Sequence, residues 1–132
     1  MIVIDASALL ELLVGGTPRA ARIATRVLHP NESLHGPHLI DLEVASVLRG
    51  LEAKGQLSLA EAARAIANMV ALDLTRSQHD LLLPRVWQRR GNLTAYEAAY
   101  IALAENLGSP LVTCDARLAA APGNRARVEL FA

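Results

Sequence analysis

The chain has one cysteine, one lysine, one tryptophan and one phenylalanine in 132 residues. Cys114 therefore has no intramolecular partner. A disulfide framework is excluded, and a reducing compartment is expected. The aromatic residues, Trp87, Tyr96, Tyr100 and Phe131, make up 3% of the chain. With so few, base stacking is not expected to dominate any contact with nucleic acid. Tyr96 and Tyr100 are expected in the core or at a subunit contact. No apolar run approaches the roughly 20 residues that span a bilayer, and the N-terminus lacks the basic–apolar–small pattern of a secretory signal. A soluble, cytoplasmic protein with no membrane partner is the expectation. Net charge is absent too: 13 basic residues balance 13 acidic ones, so charge selects no class of partner.

What is present is a high apolar content, 52%, which argues against disorder. The length suggests one domain, residues 1–132. Twelve of the 13 bases are arginine, the side chain that forks onto phosphates and carboxylates. A compositional bias toward arginine would give the same count.

Short apolar runs alternate with helical stretches. "MIVID" and "PLVTCD" are apolar runs ending in an acid, as buried parallel strands would be. "LHGPH", "ALDLT" and "RVELF" are further strand candidates. Thr17–Pro18 starts a helix that runs to about Leu28. Leu39 to about Lys54 carries apolar residues at helical spacing, with Gly55 as its stop. Ser58 and Glu61 form a capping box, as do Thr94 and Glu97. A helix is expected from Ser77, broken or kinked at Pro84. Gly108 closes the helix that Thr94 opens. The pattern predicts an α/β layer fold around a mostly parallel sheet, with ligands gathered at the carboxyl ends of the strands.

Thirteen acids are available. Glu11, Glu32, Glu52, Glu61, Asp80, Glu105 and Glu129 fall where solvated helix faces are expected. Four others stand out. Asp5 and Asp115 end apolar strands, Glu43 lies in a largely apolar helix, and Glu97 lies in the first turn of a nearly uncharged one. Each has a local alternative. Asp5 and Asp115 suit helix caps, Glu43 an ion pair with Arg49 or another arginine, and Glu97 the capping box. If they meet at one sheet edge, four carboxylates require a cation. Oxygen-only ligands favour Mg²⁺ or Mn²⁺.

The ordered motifs D-x-S, P-x-L-x-x-x-E-V, N-L-T-A-Y-[acid]-A-x-Y-x-A-L-A-E and L-x-T-x-D-x-R-L resemble the PIN-domain ribonucleases, specifically VapC-type toxins of toxin–antitoxin pairs. The resemblance runs nearly end to end and is strongest over "LPRVWQRRGNLTAYEAAYIALAENLGSPLVTCDARLA". It implies a PIN-like three-layer α/β/α sandwich. It assigns the acids Asp5, Glu43, Glu97 and Asp115 to catalysis, with Asp5, Asp115 and Glu97 on the metal. Ser7, Ser46 and Thr113 would stand behind them. It implies RNA cleavage with one or two Mg²⁺ or Mn²⁺ ions, a homodimer, and inhibition by a VapB-like antitoxin. The helices Pro18–Leu28 and Leu39–Lys54 are the expected antitoxin surface. Two positions depart from the family pattern. The third acid is usually Asp, and Glu97 moves the carboxylate by about 1.5 Å, one bond length. Ser46 stands where many relatives have Asn.

Metal-assisted hydrolysis is therefore the expected chemistry. Arg49, Arg90 and Arg117 are the phosphate candidates near the acids. His29, His35, His38 and His79 are scattered and make poor zinc ligands. No Gly-rich phosphate loop and no Ser-His-Asp arrangement occurs. A phosphatase of the haloacid-dehalogenase type would need a second Asp at Ser7. The remaining alternative is a non-catalytic PIN-like module that binds RNA or protein.

Overall fold

The computed structural model describes residues 1–132. Five short strands form one sheet: β1 (Ile2–Ile4), β2 (Leu34–Pro37), β3 (Leu74–Ser77), β4 (Leu111–Thr113) and β5 (Val128–Leu130). All pair in parallel, in the order β3-β2-β1-β4-β5. β1 and β4 lie inside the sheet and are wholly buried, which explains their apolar sequence up to Thr113, the one polar residue in either strand. Seven helices connect the strands: α1 (Ala6–Val14), α2 (Pro18–Val27), α3 (Ile40–Ala53), α4 (Leu59–Ala71), α5 (Leu83–Gln88), α6 (Ala95–Leu107) and α7 (Ala116–Ala120).

The chain builds from β1 out to β3, then returns to lay β4 on the other side of β1. Right-handed crossovers then put α1–α4 on one face of the sheet and α5–α7 on the other. In keeping with this, α1 packs on α2, α3 and α4, while α6 packs on β1, β2, β4 and α5. The result is the expected three-layer α/β/α sandwich. The strand order reverses between β1 and β4, which is where open α/β sheets open a crevice for ligands.

Local signals set most helix ends. Thr17, Ser58 and Thr94 cap α2, α4 and α6, and the last two close full capping boxes. Gly108 ends α6 with φ +61°, a left-handed conformation that glycine adopts without strain. α6 is buried at every position from Ala98 to Ala104, so it is a core helix rather than an amphipathic cover.

Three expectations change. β3 begins at Leu74, so Ala71, Leu72 and Asp73 of "ALDLT" precede it. Residues from Gln78 to Leu82 form no helix, and Pro84 lies in the first turn of α5, where its missing N–H costs nothing. Pro84 opens a helix instead of breaking one. In α3, Leu42 and Val47 are 77% and 44% exposed, so the apolar stripe read from the sequence is wider than the face that packs.

Candidate active site

The β1–β4 pairing sets Ile4 beside Val112, and so Asp5 beside Thr113, at the switch point of the sheet. Asp5 is buried and caps α1. Its Oδ1 accepts the Ala8 amide at 2.9 Å and the Ser7 hydroxyl at 2.7 Å. Its Oδ2 accepts the Thr113 hydroxyl. The Ser7 Oγ accepts the Cys114 amide at 3.0 Å, and the Thr113 Oγ1 accepts the Asp115 amide at 2.9 Å. Ser7 and Thr113 thus tie the ends of β1 and β4 together around the Asp5 carboxylate.

Asp115 caps α7 through Oδ1, which accepts the amides of Arg117 at 2.9 Å and Leu118 at 3.3 Å. Its Oδ2 faces no protein donor. Glu97 has both oxygens engaged. Oε1 accepts the Thr94 amide at 2.9 Å, and Oε2 accepts the Arg117 guanidinium. Glu43, on α3, accepts the Tyr100 hydroxyl on Oε1 at 2.5 Å and has no protein partner on Oε2. The capping alternatives for Asp5, Asp115 and Glu97 are therefore realised. The suggested Glu43–Arg49 pair is not.

Charge pairing separates these acids from the rest. Every other partly buried acid has a basic partner: Glu11 with Arg19, Glu32 and Glu129 with Arg26, Asp41 with Arg76, Glu97 with Arg117, and Glu105 with Arg85. Glu11, Glu32, Glu105 and Glu129 are thus ion-paired rather than simply solvated. Asp5, Glu43 and Asp115 have no such partner. Burial raises the proton affinity of Asp5 despite its three hydrogen bonds, and the charge of Asp115 raises it further. Burial also raises that of Glu43, helped by the charges of Asp5 and Glu97 and opposed by the Tyr100 hydrogen bond. Tyr100, buried beside these carboxylates, stays neutral, its proton affinity pushed up first by burial and then by Glu43.

A family model for the PIN domain matches residues 2–124. The chain is 44% identical over 118 residues to VapC ribonuclease Mb0985 of Mycobacterium bovis, covering 89% of this chain and 88% of that one. The chain belongs to the VapC group of the PIN-domain family. A second VapC relative, ribonuclease VapC12 of Mycobacterium tuberculosis, is 39% identical over 132 residues and covers both chains in full. Among solved structures, PAE2754 of Pyrobaculum aerophilum superposes with a TM-score of 0.70 at 26% identity, covering 96% of this chain and 81% of that one.

Against the VapC pattern, Asp5, Glu43 and Asp115 stand as unpaired carboxylates at one sheet edge, while Glu97 is turned onto its own helix terminus and Arg117. No three acid, histidine or cysteine side chains stand together closely enough to cage an ion. An all-protein cage is not what Mg²⁺ requires, because it keeps several waters and takes one or two carboxylates plus substrate phosphate. The free oxygens of Asp115 and Glu43, beside a buried carboxylate with no cation, suit that mode.

Arg117 is largely exposed, and its backbone amide also binds Asp115, so it links the third and fourth acids. Arg90 lies 4.5 Å over the Trp87 ring and donates to the Trp87 carbonyl at 2.8 Å. Arg49 and Ser46 are exposed on α3; Arg49 lines the groove toward α4. Trp87 and Tyr96 are exposed, at 67% and 64%, so the expectation that both tyrosines are covered holds within this chain only for Tyr100. Of the two places expected for Tyr100, the core or a subunit contact, the structure gives the core, and adds a contact with Glu43 that the spacing does not indicate. The available signal was that a buried tyrosine hydroxyl needs a polar partner.

Proposed function

We propose that this chain is a metal-dependent endoribonuclease toxin that hydrolyses RNA phosphodiester bonds, is silenced by a VapB-like antitoxin, and acts in the cytoplasm. One observation carries the catalytic reading: the only partly buried acids without a basic partner are Asp5, Glu43 and Asp115, and all three lie at the switch-point edge. Like charges held together there lack a counter-charge, and a divalent cation supplies one. Asp5 and Asp115 would hold Mg²⁺ or Mn²⁺, with Glu43 reaching it through water. Bound there, such an ion lowers the pKa of a water and offsets charge on the phosphate. Glu43, oriented by Tyr100, is placed to hold or deprotonate that water. Ser7 and Thr113 fix the Asp5 carboxylate. Arg117 is placed to grip a phosphate oxygen, and Glu97 holds Arg117 in position.

A partner is supported by exposed apolar side chains on the α3–α4 side: Leu42, Val47, Leu59, Ile66 and Val70. The exposed positions of α2, Pro18, Ala21, Arg22 and Thr25, carry no large apolar side chain, and only Leu28 just beyond it does, so α3 and α4 present the larger apolar surface. A homodimer and an antitoxin segment would both cover apolar area of this kind. No helix is long and apolar enough to cross a membrane.

The test is cleavage of structured RNA by antitoxin-free protein with and without Mg²⁺ or Mn²⁺. Activity that disappears in Asp5→Asn and with chelator supports the nuclease. A second reading, a PIN-like binding module without catalysis, is favoured by the engagement of both Glu97 oxygens. Metal-independent RNA binding, with no cleavage of any RNA and no growth arrest on expression, would establish it instead.

A further inference from the structure

A second polar concavity lies apart from the acids, where the end of α5, the α5–α6 turn and the loop from α7 to β5 meet. Its volume is about 600 Å³. Three of its eight lining residues are arginines, Arg85, Arg89 and Arg125, and none is acidic. Asn92 and Asn124 add amide groups.

Arg89 is the unusual member. It is 5% exposed. Nη2 donates to the Pro122 carbonyl at 2.7 Å and to Asn124 Oδ1 at 2.9 Å. Nη1 is buried and bonds nothing. No carboxylate pairs with this guanidinium. The nearby acid, Glu105, is already committed to Arg85 at 2.7 and 3.1 Å and to the Arg125 amide at 2.9 Å. A buried cation without a carboxylate is costly, and although Nη1 itself is covered, the charge favours an anion in the adjoining concavity. The donor open to solvent is the exposed Arg125, which stands at the rim without an ion pair and whose guanidinium fork matches phosphate.

The position is as informative as the charge. Asn124 donates to the Leu118 carbonyl of α7 at 3.1 Å, and α7 starts directly after Asp115. That helix has five residues, so it is about 7.5 Å long. On the other side, Asn92 precedes the Thr94 cap of α6 by two residues. A strand of a duplex rises about 3.4 Å per phosphate, so the length of α7 corresponds to about two phosphates.

We propose that this concavity binds a backbone phosphate of the RNA strand, a few nucleotides from the bond that is cut. The phosphate affinity stands on the pocket alone. Assigning that phosphate to RNA rests on the ribonuclease reading.

The first measurement is a ¹H–¹⁵N titration of the whole protein with inorganic phosphate, against chloride at equal ionic strength. Saturable shifts are expected at Asn92, Gly123, Asn124 and Arg125, weakened several-fold in Arg125→Gln. Arg89→Gln serves as a second variant, because Arg89 also ties down the 122–124 loop and its loss alone is ambiguous. Absence of saturable shifts in the wild type, or equal shifts with chloride, overturns the proposal whatever the catalytic result. The second measurement is cleavage of a short RNA. In Arg125→Gln, KM is expected to rise with kcat unchanged, and the salt slope of log KM to fall by about 0.7. An unchanged KM alongside weakened phosphate binding removes RNA as the occupant. If the wild type binds phosphate but cleaves no RNA, the ribonuclease reading has failed, and with it the assignment of the occupant to RNA.

Discussion

Replacing Asp5 by asparagine should make the metal-free protein more stable while abolishing its activity. Asparagine reproduces the local hydrogen bonds. Its Oδ1 accepts the Ala8 amide and the Ser7 hydroxyl, and its Nδ2 donates to Thr113 Oγ1. The Thr113 hydroxyl then turns toward Ser7 Oγ, 3.4 Å away. What disappears is a buried charge facing Asp115 and Glu43. Burial raises the proton affinity of Asp5 above its ordinary value of 3.8, so the native state binds more protons than the unfolded chain in the window above that pH. Stability therefore falls as pH rises through the window, and the deficit is complete once the native carboxyl has ionised. Removing the charge should return on the order of 1 kcal/mol, or about 4 °C in Tm for a domain of this length. Thermal melts with chelator at neutral pH measure this directly. Adding Mg²⁺ at about 100 times its Kd should stabilise the wild type by about 2.7 kcal/mol, roughly 10 °C, and leave the variant unmoved. A variant that melts below the wild type in chelator would show that the Asp5 charge is already compensated, and the reasoning from unpaired acids would fall.

Glu97→Gln keeps the capping box, because glutamine also reaches the Thr94 amide. It loses only a pair whose Arg117 side is 70% exposed. Its stability should change by less than about 0.5 kcal/mol, while RNA cleavage drops if Glu97 positions Arg117; full activity would sink that role. Tyr100→Phe removes a hydrogen bond to a charged group and should cost about 2 kcal/mol by denaturant unfolding. Because that bond lowers the proton affinity of Glu43, its loss should also move the acid limb of the kcat/KM profile to higher pH; an unmoved limb counts against Tyr100 as the residue that orients Glu43. Glu105 has the opposite sign to Asp5. Burial pushes its pKa up, but the Arg85 fork, the Arg125 amide and the charge of Arg89 together hold it below 4.5, so its stabilisation is full above that pH and is lost as pH falls further. Glu105→Ala should cost on the order of 3 kcal/mol at neutral pH and make acid unfolding shallower, which pH-dependent melts would detect.

The fold was readable where sequence signals are local. The apolar runs around β1 and β4, the caps at Thr17, Ser58 and Thr94, and the stop at Gly108 each act over a few residues. Pro84 is compatible with a helix start as well as a break, and only the strand ending at Ser77 decides between them. The juxtaposition of Asp5 with Thr113 depends on β4 pairing with β1, a contact across more than 100 residues. The ordered motifs implied it, but periodicity did not. The Tyr100–Glu43 contact joins α6 to α3, and the Arg85–Glu105 fork joins α5 to α6. Neither leaves a mark in spacing, because each depends on how packed helices face one another. Three of the four acids also cap helices: the cap leaves Asp115 Oδ2 free, whereas the cap and Arg117 take both oxygens of Glu97, so for Glu97 the structural and chemical readings compete.

The burial of α6 on all sides bears on how such a site can vary. Seven successive residues, Ala98 to Ala104, are enclosed, so the helix can neither turn nor slide without reordering the core. The backbone at position 97 is therefore fixed relative to Asp5 and Asp115. Any tuning of the third acid is confined to the length of its side chain. Aspartate and glutamate are the two available settings, and at this one the longer carboxylate reaches Arg117.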